Sequence, residues 1–161
     1  MKEIVLTRSL ITLVDDDDYE KFKFLRWYAS YDDRGDGFIA AHNVTNSDGS
    51  RKTLYLHREV MGLVKGEEVD HINRNTLDNR KENLRRCTHA QNMMNRRVYK
   101  NNKSGYKGVS WHEKKKKFGA AIKANKKKYF LGYFDTAKDA AIAYNEGSKR
   151  LHGDFGSPNK I

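Results

Sequence analysis

The sequence contains a single cysteine and no long apolar run. Cys87 alone can neither close an internal disulfide nor build a cysteine-rich zinc site. A membrane span needs roughly 18 consecutive apolar residues, and no such stretch occurs. The first residues are interrupted by Glu3 and Arg8, which makes them a poor secretory signal. We therefore expect a cytoplasmic protein with no membrane partner.

Acidic side chains are also too few to balance the basic ones, and the formal net charge is +11. Residues 1–56 carry a net charge of −2, residues 57–97 carry +3, and residues 98–161 carry +10. A small basic module attached to a nearly neutral body is typical of nucleic-acid-binding proteins. The alternative is a basic tail kept for solubility. The basic segment alternates lysines with aromatic and apolar residues, as a folded domain does, which favours nucleic acid.

The order of apolar runs and turn residues predicts an α+β protein in three parts. Residues 1–53 form a small β-rich segment, and residues 54–97 form a core of short strands and helices. Residues 98–104 have no periodicity and form a linker. Residues 105–161 contain three strand-like runs followed by one helix. We expect the three runs to form an antiparallel sheet packed on that helix.

Three local patterns refine this layout. Residues 32–37 are rich in turn residues and predict a hairpin between two apolar runs. Thr136, with Asp139 three residues later, predicts a helix N-cap. The acidic run Asp15–Asp18 precedes a short helix, where acids complement the helix dipole. Metal binding by this run is the alternative, and its role stays open.

The chemistry-bearing pattern lies in the middle part. Asp70 and His71 follow a short apolar run, with Asn83 and Asn92 further along the chain. Carboxylate and carboxamide oxygens suit a hard divalent cation, and an imidazole suits proton removal near neutral pH. On a regular strand Asp70 and His71 point to opposite faces, so strand curvature or a strand end would have to bring both to one site. The alternative is that these residues are turn and cap residues, with His71 a surface bystander.

The fuller pattern around this site resembles the HNH homing endonucleases of phages and mobile introns. The resemblance implies a ββα-metal nuclease core in which His71 is the general base and Asn83 orients it. It further implies that Asp70 and Asn92 hold a divalent metal ion, magnesium first and manganese as the alternative. The role of His57 stays open, with a structural role favoured. The resemblance is carried by Leu56-His57-Arg58, Val69-Asp70-His71-Ile72-Asn73, Leu77-Asp78-Asn79-Arg80, Glu82-Asn83-Leu84-Arg85 and Thr88-x-x-Gln91-Asn92.

Residues 104–159 resemble the ethylene-response-factor (Apetala-type) DNA-binding domain of plants. The resemblance implies a three-stranded antiparallel sheet that reads the major groove, which is wide enough to accept strands. Strand alternation independently leaves one face of this sheet lysine-rich. Lysine grips phosphate as a point charge but lacks the fork that reads guanine, so we expect weak sequence discrimination. The candidate DNA contacts are Lys107, Ser110, His112, Lys123, Lys128 and Phe130.

Together these features predict a metal-dependent endonuclease that acts as a monomer on double-stranded DNA. We expect no small-molecule substrate, and the resemblance implies the cytoplasm of a bacterial host as the location. The main alternative is a non-catalytic, sequence-specific DNA-binding regulator derived from such a nuclease. An RNA-binding structural protein would explain the charge but gives no reason for the catalytic residues.

Overall fold

The structure is a computed structural model that describes residues 1–32, 37–99 and 101–161. The chain divides into two compact units, Met1–His89 and Ala90–Ile161. Residues 33–36 of the predicted hairpin turn (32–37) lie outside the described residues, as does residue 100 of the predicted linker. Each unit mixes small antiparallel sheets with short helices, so the α+β prediction is confirmed. None of the helices described is long and apolar enough to span a membrane.

The described residues of the first unit form three small sheets. Two form two-stranded antiparallel pairs, and the third has three antiparallel strands in chain order. Its elements are β1 (Lys2–Val5), β2 (Ile11–Val14), α1 (Asp16–Phe22), β3 (Tyr28–Asp32), β4 (Gly37–Thr45), β5 (Arg51–Tyr55), α2 (Leu56–Val60), β6 (Glu68–His71) and β7 (Leu84–Cys87), and helix α3 (His89–Met94) begins at its end.

One hydrophobic core serves the whole first unit. Val14 and Trp27 from the β-rich segment pack in the same cluster as Leu56, Val69 and Leu84 from the predicted nuclease part. Burial of apolar surface is the main stabilising term in a domain of this size. Residues 1–53 and the strands of the predicted nuclease part therefore share one hydrophobic core.

The acidic run before α1 has a structural use. Asp18 is almost completely buried and forms ion pairs with Lys21 at 3.1 Å and Lys81 at 2.9 Å. The Asp15 carboxylate accepts a hydrogen bond from the Lys81 backbone N–H at 2.8 Å. The run thus secures the segment around Lys81. These lysine contacts favour the helix-start interpretation over metal binding.

Strand β2 also fixes the loop between β6 and β7. The Leu13 N–H donates to the Leu77 carbonyl, and the Asn79 N–H donates to the Leu13 carbonyl, both at 2.8 Å. The two bonds form a parallel bridge between Leu13 and Asp78. The N-terminal hairpin therefore holds this loop near its middle.

The second unit is a three-stranded antiparallel sheet packed on one long helix. The sheet order is β10 (Lys127–Phe134), β9 (Lys117–Ala124) and β8 (Val109–His112), and the helix is α4 (Ala137–His152). Small residues at the contact, including Ala120, Ala140 and Ala141, are completely buried and let the helix approach the sheet closely. The Thr136 hydroxyl accepts a hydrogen bond from the Asp139 N–H at 3.0 Å, which confirms the predicted N-cap.

Two glycines explain where the strands of this unit depart from the predicted runs. Gly108 has a φ of +73°, and a Cβ there would lie 2.1 Å from the Tyr144 ring. Strand β8 therefore starts at Val109, after this turn, and not at Tyr106, where the strand-like run of the sequence begins. In β10 the pairing register shifts between Phe130 and Gly132. This β-bulge changes which side chains face outward beyond it.

Candidate active site and nucleic-acid interface

The two central residues of the candidate site lie at the end of β6. Asp70 and His71 are both buried, at 5% and 8% exposed, and pair across the ladder with Arg85 and Leu84 of β7. His71 is the last residue of its strand. Val69 packs in the hydrophobic core and so fixes strand β6. Asp70 and His71 lie at the C-terminal end of this strand.

Arg85 neutralises the Asp70 carboxylate. Its Nε and Nη2 atoms both donate to Asp70 Oδ2, at 2.8 and 2.5 Å. Charge-assisted bonds of this kind are short and strong, and a buried carboxylate needs such a partner to remain ionised. The pair therefore keeps a negatively charged oxygen group inside the first unit, next to His71.

The His71 imidazole is held in a polar pocket of its own. Its Nε2 atom lies 3.1 Å from the side-chain oxygen of Asn79, which is completely buried. Burial lowers the pKa of His71 below its usual value, because the charged imidazolium loses hydration. The Asn79 bond and the carboxylates of Asp70 and Asp78 oppose this shift without reversing it. His71 is therefore neutral near pH 7, the state that a general base requires.

His57 lies directly against this histidine. The two rings meet edge to face with centroids 5.4 Å apart, and Tyr55 stacks on His57 at 6.0 Å. Burial, followed by repulsion from His71 and Arg58, lowers the pKa of His57 to about 3. His57 is thus an uncharged aromatic neighbour of the candidate base, a position compatible with the favoured structural role.

Asn83 makes different contacts from those expected of it. Its side-chain oxygen accepts from the Asn73 N–H at 2.9 Å, and its amide donates to the Asp78 carbonyl at 2.7 Å. Among the described residues, the amide that bonds the His71 ring is Asn79. Asn83 thus closes the loop that carries Asn79, and its predicted role in orienting His71 stays a prediction.

Asn92 lies on α3, in the part of that helix that belongs to the second unit, and is partly buried. The first unit thus brings together Asp70, His71 and Asn83, with His57, Asn79 and Arg85 as additional neighbours. Among the described residues no group of three or more His, Cys, Asp or Glu side chains is arranged to hold a metal ion. A magnesium site needs only one or two carboxylates, with the remaining positions taken by water and phosphate. The ionised Asp70 carboxylate fits that chemistry.

In the second unit, the sheet face opposite α4 carries most of the candidate DNA contacts. Residues paired across antiparallel strands share a face, so Lys123 with Lys128, and Ala121 with Phe130, both lie outward. Lys123 and Lys128 are exposed, and Phe130 is 57% exposed. On β8, Ser110 and His112 lie outward as well. These five predicted contacts therefore share one surface.

Two residues change the predicted composition of this surface. The bulge in β10 brings Tyr133 outward, opposite Gly119, and its ring lies 4.8 Å from that of Phe130 and 5.2 Å from that of His112. Lys107 instead lies in the turn before β8, where its amine donates to the Met94 carbonyl. We call Gly119, Ala121, Phe130 and Tyr133 the apolar strip, because they lie on the same face beside the lysine pair.

Comparison with known proteins identifies the first of these sites. Residues 55–94 match the family described as HNH endonuclease. Protein 3.8 of Escherichia phage T7 is 32% identical over 93 residues, which cover 58% of this chain and 76% of that protein. The chain belongs to the HNH endonuclease family. The matched segment contains His57, Asp70, His71, Asn83 and Asn92.

Another relative is an uncharacterized HNH endonuclease of Acanthamoeba polyphaga mimivirus, 34% identical over 114 residues. The match covers 67% of this chain and 58% of the length of that relative. No solved structure matches the chain. The HNH family match ends at residue 94, so the likeness of residues 105–161 to an ethylene-response-factor domain stays a prediction.

Proposed function

We propose that this HNH protein is a metal-dependent endonuclease of the homing type, which hydrolyses phosphodiester bonds in double-stranded DNA. The observation that carries the proposal is the neutral, buried imidazole of His71 beside the ionised Asp70, within the segment that matches the family. A neutral imidazole can take a proton from water, and an adjacent carboxylate can hold a cation.

His71 is the proposed general base. Hydrolysis requires a water molecule that loses a proton as its oxygen attacks phosphorus. The low pKa of His71 keeps the imidazole unprotonated below its ordinary titration range. Asn79 and the adjoining His57 ring restrict the imidazole to one orientation, so little reorganisation is needed before proton transfer.

Asp70 and Asn92 are the residues that would hold the metal ion, magnesium or manganese. The bound cation would supply positive charge at the phosphate and the departing oxygen. Asp70 contributes an ionised carboxylate, and Asn92 contributes a neutral carboxamide oxygen. Both are the hard oxygen donors that these cations prefer.

The outer sheet face of the second unit is the proposed DNA-holding surface. Lys123 and Lys128 offer exposed positive charge on adjacent strands, with Ser110 and His112 on the third strand. Charge of this kind attracts phosphates irrespective of base sequence. Lys107 is the weakest of the predicted contacts, because its amine already bonds a backbone carbonyl. The module thus supplies affinity and positioning.

Supercoiled plasmid tests the proposal directly. Wild-type protein is incubated with plasmid in EDTA, in magnesium and in manganese, beside His71→Gln and the surface control His89→Gln. Nicked or linear product is expected from the wild type and the control, and only with a metal ion. Equal cutting in EDTA would contradict metal dependence, and equal cutting by His71→Gln would contradict the assigned base.

One observation favours the second candidate, a non-catalytic DNA-binding regulator. The Arg85 guanidinium already compensates the charge of Asp70, as would suit a site that binds no cation. The plasmid experiment separates the two. Retarded plasmid mobility without any strand cleavage, in both metals and across pH 6 to 9, selects the regulator.

A further inference from the structure

The outer sheet face of the second unit combines exposed aromatic rings with positive charge that no strand residue balances. Strands β8, β9 and β10, all within the described residues, contain four lysines and no Asp or Glu. Lys123 and Lys128 lie directly opposite each other on this face. Like charges in such a pair destabilise a sheet, and an anion bound between them would remove this cost. The charge of the face therefore complements a polyanion.

Two rings of the apolar strip lie over the central strand of this sheet. A Cβ at Gly119 would be 3.4 Å from the Tyr133 ring and 3.7 Å from the Phe130 ring. Both rings thus reach the backbone of β9, because Gly119 has no side chain in the way. Phe130 is nevertheless 57% exposed and Tyr133 39% exposed. The ring surfaces are therefore supported by the sheet and still accessible to a partner.

Unpaired nucleobases are the partner whose chemistry fits both features. In a duplex the face of each base is covered by its neighbours, and edges and methyl groups are what reaches the major groove. An unpaired strand offers the base faces themselves, which stack on aromatic side chains. Such stacking tolerates any base, and proteins that bind single strands combine it with a basic surface that follows the phosphates. Lysines and rings occur together on this face.

The spacing of these groups along β10 also suits a nucleic-acid strand. Lys128 and Phe130 lie two residues apart on the same face, roughly 7 Å along the strand. This distance is comparable with the length of one extended nucleotide, so a phosphate at Lys128 and a base on Phe130 can belong to neighbouring positions of one strand. Tyr133 contacts the Phe130 ring, with centroids 4.8 Å apart, and continues the ring surface toward His112.

We propose that this face binds single-stranded DNA, with bases stacked on Phe130 and Tyr133 and phosphates held by Lys123 and Lys128. The choice of DNA rests on the proposed function and on the family match. The lysines can hold a duplex as well, but the rings then meet only base edges and methyl groups. Locally opened DNA would thus gain stacking that an intact duplex cannot offer.

Strands with and without bases test the proposal. Fluorescence anisotropy of the full-length protein in EDTA measures the affinity for a short thymidine strand and for an abasic strand with the same number of phosphates. The wild type should bind the thymidine strand more tightly, on the order of tenfold, because stacking adds to phosphate attraction. The slope of log affinity against log salt should be similar for both strands. Equal affinity for the two strands would overturn the proposal.

Three leucine substitutions locate the stacking surface. Phe130→Leu and Tyr133→Leu keep an apolar side chain but remove the ring, so each should reduce the preference for the thymidine strand over the abasic strand. Tyr129→Leu is the matched control and should keep the wild-type preference. Tyr129 is 37% exposed on the same strand, but it pairs with the buried Ile122 on the face toward α4. An equal loss in Tyr129→Leu, or an unchanged preference in both ring variants, would contradict the assigned surface.

Two further ligands separate stacking on DNA from its alternatives. Phe130→Leu should lower the affinity for a duplex by no more than a few-fold, and a loss as large as that on the single strand would overturn stacking. The ribose counterpart of the thymidine strand should bind no more tightly, and a clear preference for it would assign the face to RNA. If single strands bind as described while the wild type cuts no plasmid, the surface is correctly assigned and the proposed nuclease function fails.

Discussion

The candidate base of the first unit and the candidate DNA contacts of the second unit are held in opposite ways. His71 is buried, and its neighbours Asn79 and Thr12 are in turn fixed by other polar groups. Lys123 and Lys128 are exposed on an open sheet face. Chemistry demands one geometry at one atom, whereas phosphate attraction adds up over many adaptable charges.

This difference predicts how the two regions respond to substitution. In the first unit the polar side chains hydrogen-bond to one another. Substitutions there should therefore have large and strongly non-additive effects on cleavage. In the second unit, lysines should act nearly independently, and each should change affinity by a similar amount. Four experiments probe the contrast, from the largest expected effect to the smallest.

The largest effect is expected for loss of the base. His71→Ala should lower the cleavage rate by about 10² to 10⁴, the range that general-base catalysis contributes. DNA affinity in EDTA should stay within a few-fold, because the substitution removes little contact surface. Single-turnover cleavage and a binding titration on one duplex measure the two quantities. If His71→Ala cleaves DNA at the wild-type rate, His71 is not the general base.

The second experiment concerns the lysines. Lys123→Ala and Lys128→Ala should each make the slope of log affinity against log salt shallower by about 0.9, on target-like and unrelated duplexes alike. Lys149→Ala, on the exposed side of α4, is the matched control and should change the slope little. A loss confined to one duplex sequence, with an unchanged salt slope, would show that a lysine reads a base.

The third experiment uses pH to probe the buried histidines. The folded pKa values of His57, about 3, and of His71 lie below the value of about 6.5 for an unfolded chain. Below about pH 6.5 the unfolded state therefore binds more protons, and the free energy of unfolding falls as the pH drops.

Urea denaturation between pH 7.5 and 5.5 measures this loss. A single such group contributes at most about 1.4 kcal/mol per pH unit within this window. His57→Gln should reduce the pH dependence of the unfolding free energy, because it removes a histidine whose pKa burial lowers. If the unfolding free energy of the wild type is flat over this range, the histidines are not held neutral as described.

The smallest effect concerns the apolar strip. Apolar groups in the major groove can recognise the thymine methyl group, and burying one methyl contributes about 0.8 kcal/mol, roughly fourfold in affinity. A duplex with uracil in place of thymine should therefore bind a few-fold more weakly in EDTA. The difference should vanish in Phe130→Ala. A difference that persists in this variant would mean that another residue contacts the methyl groups.

Much of the layout could be predicted because it depends on local signals. The strands around Asp70 and Arg85 follow from short apolar runs bounded by polar turns, and Thr136 has the spacing of a helix cap. For the same reason, the sequence alone could place Asp70 and His71 on one strand. The residue types at these positions are enough to predict the strand, without knowledge of contacts to distant residues.

The remaining features depend on contacts that the local sequence does not encode. Whether Asn79 or Asn83 reaches His71 is decided by the path of the loop, which includes Arg74 at a φ of +63°. Thr12 meets Asn79 across 67 residues, with no local signal. Tyr133 faces outward because of the bulge, and here Gly132 inside an apolar strand run was the available signal.

The shared core of the first unit bears on how this protein can be used in protein engineering. The family-matched stretch of residues 55–94 supplies Leu56, Val60, Val69 and Leu84 to a cluster whose other members come from residues 4–40. Excised by itself, the stretch would expose those side chains to water and lose the partner strand of its central loop. We therefore expect that residues 55–94 do not fold when they are transferred alone to another protein. A chimera should inherit residues 1–94 intact, which keeps both the shared core and Asn92.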